Sequence, residues 1–442
     1  MSPLTTIDTL IDARWVVPVE PELTVLSRHS LAIREGKIVA LLPTEEAHLR
    51  FKPERHLQLK NHLLIPGLIN LHTHAAMTLL RGLADDLPLM DWLHNHIWPA
   101  EGRFMSAEFV HDGTLLACAE MLRSGITCFN DMYFYPEAAA NAALQAKMRA
   151  ALGIVTVEFP TPYASDADDY LHKGLAARDA FRDEALISFT LAPHAPYTVS
   201  DQTFAKILTY SEQLDLPIHL HLHETHEEVE ESLKQYQVRP LERLYHLGLL
   251  GPNLIAVHMV QLNKEEIRLL AEHGCHVAHC PTSNLKLASG IGPVVEKLEH
   301  DVNVGLGTDG AASNNRLDIL AEMRLAALLA KGQSRKASAL PAFETLKLAT
   351  LNAARALRLD HLVGSLKPGK AADIVALDFS GPEMEPCYDP VSHLVYAAGR
   401  EHVSHVWVNG EMLLSERRLT SLDERDIHAK AVLWQERIRN AA

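Results

Sequence analysis

The stretch from Leu63 to His74, Leu-Leu-Ile-Pro-Gly-Leu-Ile-Asn-Leu-His-Thr-His, constrains this chain more than any other. An apolar run with a Pro-Gly break reads as a buried strand. It ends in two histidines two residues apart. Side chains alternate along a strand, so His72 and His74 fall on the same side of its end. Two imidazoles on a rigid strand end begin a zinc site, which takes roughly three or four N, O or S ligands. The chain has 26 histidines, so the pair alone decides nothing. The candidates downstream carry the argument.

Composition bounds the fold. A chain of 442 residues fits one large domain plus a small one. With 47% hydrophobic and 22% charged residues it has the makeup of a soluble globular protein. A formal charge of −15 argues against nucleic-acid and anionic-membrane partners. The five cysteines, Cys118, Cys128, Cys275, Cys280 and Cys387, show no C-x-x-C spacing, which suggests a reducing cytoplasm. The first residues carry no basic n-region and no apolar h-region, so no signal peptide is expected. No run approaches the ~18 apolar residues of a membrane span.

Both ends of the chain are strand-like. Residues 5–65 hold short apolar, β-branched runs, with Glu35-Gly36 as a hairpin turn. Ala372 to Phe379 is strand-like, and His405 to Leu414 reads as a hairpin around Asn409-Gly410. The expectation is a small discontinuous β-sandwich domain built from residues 1–65 and 365–442. Between them, residues 66–364 alternate strand and helix, as in a (β/α)₈ TIM-type barrel. Strands are expected at Ile126 to Phe134, Leu186 to Pro193, Ile218 to His223, Asn253 to Val260, His276 to Cys280 and Val302 to Gly307. Helices are expected at Ala138 to Ala151, Ser200 to Gln213, Asn263 to His273 and Leu317 to Ala330. A doubly wound open sheet shares this local pattern. Polar residues at the C-terminal ends of many successive strands favour the barrel.

Those strand ends carry the chemistry. In Ile218-His219-Leu220-His221-Leu222-His223-Glu224, the histidines face one way and the leucines the other. One of the three can join His72 and His74 on a metal. His258 lies near the end of another strand. Asp309, set among glycines in Gly307-Thr308-Asp309-Gly310, is a carboxylate whose burial needs a cation or donors. Glu224 stands one step beyond its strand, placed to shuttle a proton. No Gly-rich phosphate loop is present. Trp92 and Trp98 read as purine stacking or simple packing. Ser283-Asn284 reads as a substrate contact or a turn.

Pro66 to His74, His219 to Thr225, His258, Gly307 to Gly310 and Gly364 to Val375 together resemble the amidohydrolase superfamily, nearly end to end. Met77 to Gly82, Trp98 to Glu101 and Leu191 to Pro196 are similar to the branch of 5-methylthioadenosine/S-adenosylhomocysteine deaminases, which also holds the triazine hydrolases. The resemblance implies zinc-dependent hydrolytic deamination at purine C6. It implies His72, His74, His221 and Asp309 as metal ligands. It implies that Asp309 takes a proton from the attacking water, that Glu224 protonates N1 and relays a proton to ammonia, and that His258 hydrogen-bonds the attacking oxygen. Glu101 and His194, with Glu224 and Asp309, would contact the nucleoside. The strand at 186–193 lacks the lysine that bridges two metals in relatives, so one zinc per chain is expected. A small-molecule nucleoside is the implied partner, and a homo-oligomer is left open. The rival readings are a triazine chloro- or aminohydrolase, a guanine-type deaminase, and a non-catalytic barrel scaffold.

Overall fold

The computed structural model describes residues 4–440. The chain opens with four strands, β1 (Thr5–Val16), β2 (Leu26–Arg34), β3 (Lys37–Pro43) and β4 (Phe51–Pro66). Eight follow in the middle: β5 (Leu68–Thr73), β6 (Ile126–Asp131), β7 (Arg149–Thr156), β8 (Ile187–Pro193), β9 (Ile218–Leu222), β10 (Leu254–His258), β11 (His276–His279) and β12 (Asn303–Leu306). Four more close the chain: β13 (Ile374–Asp378), β14 (Val403–Val408), β15 (Glu411–Ser415) and β16 (Arg418–Leu419).

The terminal strands share one sheet, ordered β16-β15-β14-β13-β4-β1-β2-β3, so the two ends of the chain meet where β13 pairs antiparallel with β4. Both expected hairpin turns form. Glu35, Gly36, Asn409 and Gly410 all have positive φ, the conformation that two-residue turns between twisted strands require. The middle strands run parallel in chain order from β5 to β12, with helices between them. Every residue of β5, β6, β7, β9 and β10 is buried, as for strands covered on both faces. The barrel closes where β12 meets β5. A Cβ on Gly307 would lie 2.9 Å from the backbone N of His72, so only glycine permits that approach.

The Leu63–His74 run divides differently from its sequence pattern. It is not one strand but two. β4 ends at Pro66 in the terminal sheet and β5 begins at Leu68 in the barrel. Gly67 makes the step, and a Cβ there would sit 2.0 Å from Thr127 Oγ1. A second difference lies in the Ala-rich segment. The helix spans only Pro136–Ala146 and stops at Lys147, whose φ is +57°. Arg149-Ala150-Ala151-Leu152-Gly153 then enters β7, between β6 and β8. Those residues have no β-branched side chain until Ile154, so local propensity favours helix. The vacancy in the parallel sheet overrides it.

The two sheets are pinned together by a buried ion pair. Arg149 donates to both oxygens of Asp373, Nε to Oδ2 at 3.1 Å and Nη2 to Oδ1 at 3.2 Å. Asp373 also accepts the Asn409 N–H at 2.8 Å. The last helix, Glu424–Arg439, returns to the barrel, where Trp434 Nε1–H donates to Asp112 Oδ2 at 3.1 Å on the helix Ala107–Arg123. Arg149→Met strands the Asp373 charge in a dry interface. It should lower unfolding stability by about 3–5 kcal/mol, the usual cost of breaking a buried pair from one side. Urea unfolding followed by circular dichroism measures this, and a loss below about 1 kcal/mol would contradict the pairing.

Candidate active site

The candidate side chains lie at the C-terminal ends of the barrel strands, where loops can converge, except Glu101, which comes from the helix Trp98–Phe104 between β5 and β6. His72 is in the last turn of β5, and His74 follows it. His221 is near the end of β9, with Glu224 two residues past it. His258 ends β10, and Asp309 lies three residues past β12. One ligand-competent atom from each of His72, His74, His221 and Asp309 falls within 4.8 Å of the others. Asp309 Oδ1 is 3.2 Å from His72 Nε2 and 3.1 Å from His74 Nε2, and the Nε2 atoms of His72 and His221 are 3.2 Å apart.

The other ring nitrogens are already committed. His74 Nδ1–H donates to the Met132 carbonyl at 2.7 Å, and His221 Nδ1–H donates to the His194 carbonyl at 2.8 Å. His72 Nδ1 lies 2.9 Å from His219 Nε2. Outer partners of this kind fix each tautomer and aim Nε2 at a shared centre. Asp309 is held on every side. Its Oδ2 accepts from Ser283 Oγ at 2.6 Å and Ser313 Oγ at 2.8 Å, and its Oδ1 accepts the Gly310 N–H at 2.7 Å. Its φ of +62° turns the carboxylate inward, and its own N–H donates to the His72 carbonyl at 3.0 Å.

Electrostatics points to a cation at that centre. Burial pushes His72 down to about 4 and His221 well below its ordinary value. Burial would also lower His74, but the Asp309 carboxylate outweighs it and pushes His74 up to about 9. Burial alone would raise Asp309; its contacts with His72 and His74 hold it well below the usual carboxylate range. The four groups thus set one carboxylate against two imidazoles that burial keeps neutral, His72 and His221, and a third, His74, that draws a positive charge to the centre. A metal ion in place of the His74 proton would meet three imidazole nitrogens and a carboxylate, the donor set of a divalent zinc-type ion.

Glu224 and His258 flank this centre, with Oε2 and Nε2 3.6 Å apart. His258 has φ +71°, and its Nδ1–H donates to Asn284 Oδ1 at 2.8 Å, which leaves Nε2 facing the cavity. Burial, first among several causes, raises the Glu224 carboxyl above its ordinary value. Glu228 secures the turn beneath it, accepting the N–H groups of His223 at 2.9 Å and Glu224 at 2.7 Å. Above lies a cavity of about 350 Å³, lined at its floor by His74, His221, Glu224, His258 and Asp309. Trp92, Trp98, Phe134 and Phe159 form apolar walls; Glu101 and His194 are the polar groups above the floor. Tyr133 O–H donates to Glu101 Oε1 at 2.7 Å, and burial pushes Glu101 up to about 7. Burial pushes His194 down to about 3, and its Nδ1 bonds Thr198 Oγ1 at 3.0 Å. No Lys or Arg lines the cavity among the described residues.

Of the three alternating histidines, only His221 reaches the centre. His219 lies below, behind His72. His223 leaves the row at φ +53°, its Nδ1–H donating to the Gln261 carbonyl at 2.9 Å and its Nε2 accepting the Leu241 N–H at 3.0 Å. Ser283 and Asn284 hold Asp309 and His258 rather than standing free for a ligand. Ser313, Tyr133 and Glu228 had no sequence signal of their own. Only their place near strand ends could have drawn attention to them.

A profile of the amidohydrolase family matches residues 63–413. The chain belongs to the amidohydrolase family. A curated relative from Saccharophagus degradans, a 5-methylthioadenosine/S-adenosylhomocysteine deaminase, is 50% identical over 99% of this chain and 98% of its own. One of the same name from Teredinibacter turnerae is 48% identical, over 99% of each. Among solved structures, an adenosine deaminase from Xanthomonas campestris with bound zinc superposes with a TM-score of 0.98. It is 49% identical and covers 99% of this chain and 100% of that one. An atrazine chlorohydrolase from Arthrobacter aurescens, 23% identical with a TM-score of 0.89 over 97% of this chain and 100% of its own, shares the fold. In this amidohydrolase β8 contains no lysine, so nothing there can bridge a second ion. After dialysis against a weak chelator, elemental analysis should find about one equivalent of metal per chain. Two tightly held equivalents, both required for activity, would contradict a mononuclear site.

Proposed function

We propose that this chain is a zinc-dependent deaminase of adenosine-type nucleosides, acting at purine C6, with 5-methylthioadenosine as its favoured substrate. One observation carries the reading. A four-donor metal set shares the floor of a largely apolar cavity with a raised carboxyl, Glu224, and a fixed imidazole, His258. The full-length likeness to proteins named for this activity supports it. On the same reading the barrel spans residues 66–364, the flanking segments form the small β-domain, and five unpaired cysteines suit a cytoplasmic setting.

A zinc ion bound by His72, His74, His221 and Asp309 would supply Lewis-acid activation of water. The chain's own groups account for the protons. Asp309, kept ionised, receives the proton of the attacking water on its carboxylate. Glu224, its carboxyl raised chiefly by burial, gives a proton to N1 as the oxygen adds to C6. His258 Nε2 orients that oxygen, because Asn284 fixes the other side of the ring. The proton on Asp309 then passes through Glu224 to the leaving amine, and as the C6–N bond breaks the remaining hydroxyl proton of the adduct returns to Glu224, which leaves the C6 carbonyl. Water is consumed, and ammonia and the inosine analogue are released. Glu101 and His194 accept hydrogen bonds from the sugar or base, and the aromatic walls exclude bulk water.

Glu224→Gln keeps the shape and removes the transferable proton. It should retain the metal and lose about 10²–10⁴-fold in kcat, the usual contribution of a general acid–base group. Near-normal turnover in metal-replete Glu224→Gln would assign the shuttle elsewhere.

Charge sets the preference at the 5′ end. S-adenosylhomocysteine ends in a carboxylate, which paired arginine hydrogen bonds would suit. The segment after β7 brings Phe159, Pro160, Thr161 and Pro162 to the cavity instead. Arg149 is spent on Asp373, and Arg81 is engaged by Glu120 and the Asn315 carbonyl. A neutral methylthio group meets an apolar wall there and has no charge to desolvate. The ratio of kcat/KM values should therefore favour 5-methylthioadenosine over S-adenosylhomocysteine under one condition. A ratio near one would mean that a cation serves the carboxylate from outside the cavity lining.

A further inference from the structure

A second cluster of ligand-type side chains lies in the terminal sheet, outside the barrel cavity. Asp12 of β1, His48 of the helix Thr44–Arg50 and His56 of β4 converge there. The Nε2 atoms of both histidines point at one atom, Asp12 Oδ2, at 2.9 Å from His48 and 2.7 Å from His56. The two rings stand edge-on, with centroids 5.1 Å apart. None of the three residues lines the barrel cavity.

The surroundings prepare the cluster for a cation. Ser30 Oγ donates to Asp12 Oδ1 at 2.5 Å, which fixes the carboxylate and leaves Oδ2 to the imidazoles. Burial would raise the Asp12 carboxyl, but Ser30, His56 and His48 together hold it below its ordinary value. Among the described residues, neither His48 nor His56 has a protein partner at Nδ1, so each can carry its proton on the solvent side. Without an ion each Nε2–H donates to Asp12 Oδ2; a bound ion would take the place of those two protons and free the Nε2 lone pairs. Two imidazole nitrogens and a carboxylate oxygen, with open positions for water, form a donor set for zinc or nickel.

We propose that Asp12, His48 and His56 form a second divalent-metal site, weaker than the barrel site and independent of catalysis. It would take a borderline transition ion, Zn²⁺ or Ni²⁺, with water completing the shell. Metal–ligand bonds of about 2.0–2.1 Å in a tetrahedron set ligand atoms about 3.3 Å apart. The present Asp12–His separations are shorter, so both rings must draw back by roughly half an ångström. Side-chain exposures of 41% for His48 and 32% for His56 leave room for that movement. The bound ion would tie the helix Thr44–Arg50 to β1 and β4. Solvent exposure and three protein ligands make it readily exchangeable, unlike the enclosed barrel ion.

Calorimetric titration of the dialysed holoenzyme with ZnCl₂ tests this. The wild type should show one further binding phase per chain beyond the tightly held equivalent. In the double variant His48→Ala/His56→Ala that phase should vanish, while the tight equivalent and kcat/KM stay unchanged. Asp12→Asn, which keeps the side-chain shape, should weaken the same phase. No further phase in the wild type, or a phase that survives in the double variant, overturns the proposal. Loss of the tight equivalent would instead bear on the barrel site, so the two readings fail separately.

Discussion

The rest of the site depends on a buried carboxylate that must not be left alone. Asp309 is almost wholly removed from water, and an unpaired charge there would be costly. Two serine hydroxyls, a backbone N–H and two imidazoles meet it. None of these partners is near it by accident of sequence. Ser283 lies in the short helix after β11, Ser313 lies in the short helix Ala311–Asn314, and His72 and His74 come from β5, across the seam that closes the barrel. Asp309 reaches the histidines only because β12 closes against β5, and that closure needs the bare backbone of Gly307. Barrel closure and assembly of the metal donors are therefore the same event. A chain that failed to close would lose both the β5–β12 seam and the counter-charge for its histidines.

Much of this was legible in the sequence because period-2 alternation is a short-range property. His72 with His74, and His221 within its leucine-flanked row, need only local strand geometry to be placed. The terminal β-rich segments were legible for the same reason, down to the Asn409-Gly410 turn. What was not legible depends on tertiary position. The Ala-rich start of β7 reads as helix because nothing in five residues announces a gap between two parallel strands. His223 continues the alternation in sequence but leaves it in space at φ +53°, where its ring serves the Gln261 and Leu241 backbone. Ser283 and Asn284 were visible as a polar pair after a strand. Their task of holding Asp309 and His258 needs a neighbour about 26 residues away.

The cavity sorts its carboxylates by environment rather than by residue type. Asp309 and Glu224 face the same small volume, yet they are pushed in opposite directions. Asp309 lies against His72 and His74 and is held ionised. Glu224 is equally buried, but its nearest charged neighbours pull both ways, and Asp309 itself opposes its ionisation. One carboxyl is thus pushed toward its ionised form and the other toward its protonated form, the separation that the proposed proton transfers in two directions would use. The backbone enforces the division. Glu228 accepts the N–H groups of His223 and Glu224 and so fixes where Glu224 enters the cavity. Burial pushes Glu228 itself up to about 8, so two nearby carboxyl groups compete to stay neutral. Moving Glu224 toward solvent would remove the burial that raises its carboxyl. The apolar walls of Trp92, Trp98, Phe134 and Phe159 therefore do more than shape the cavity. They keep water away from Glu224, and that exclusion is what raises its carboxyl.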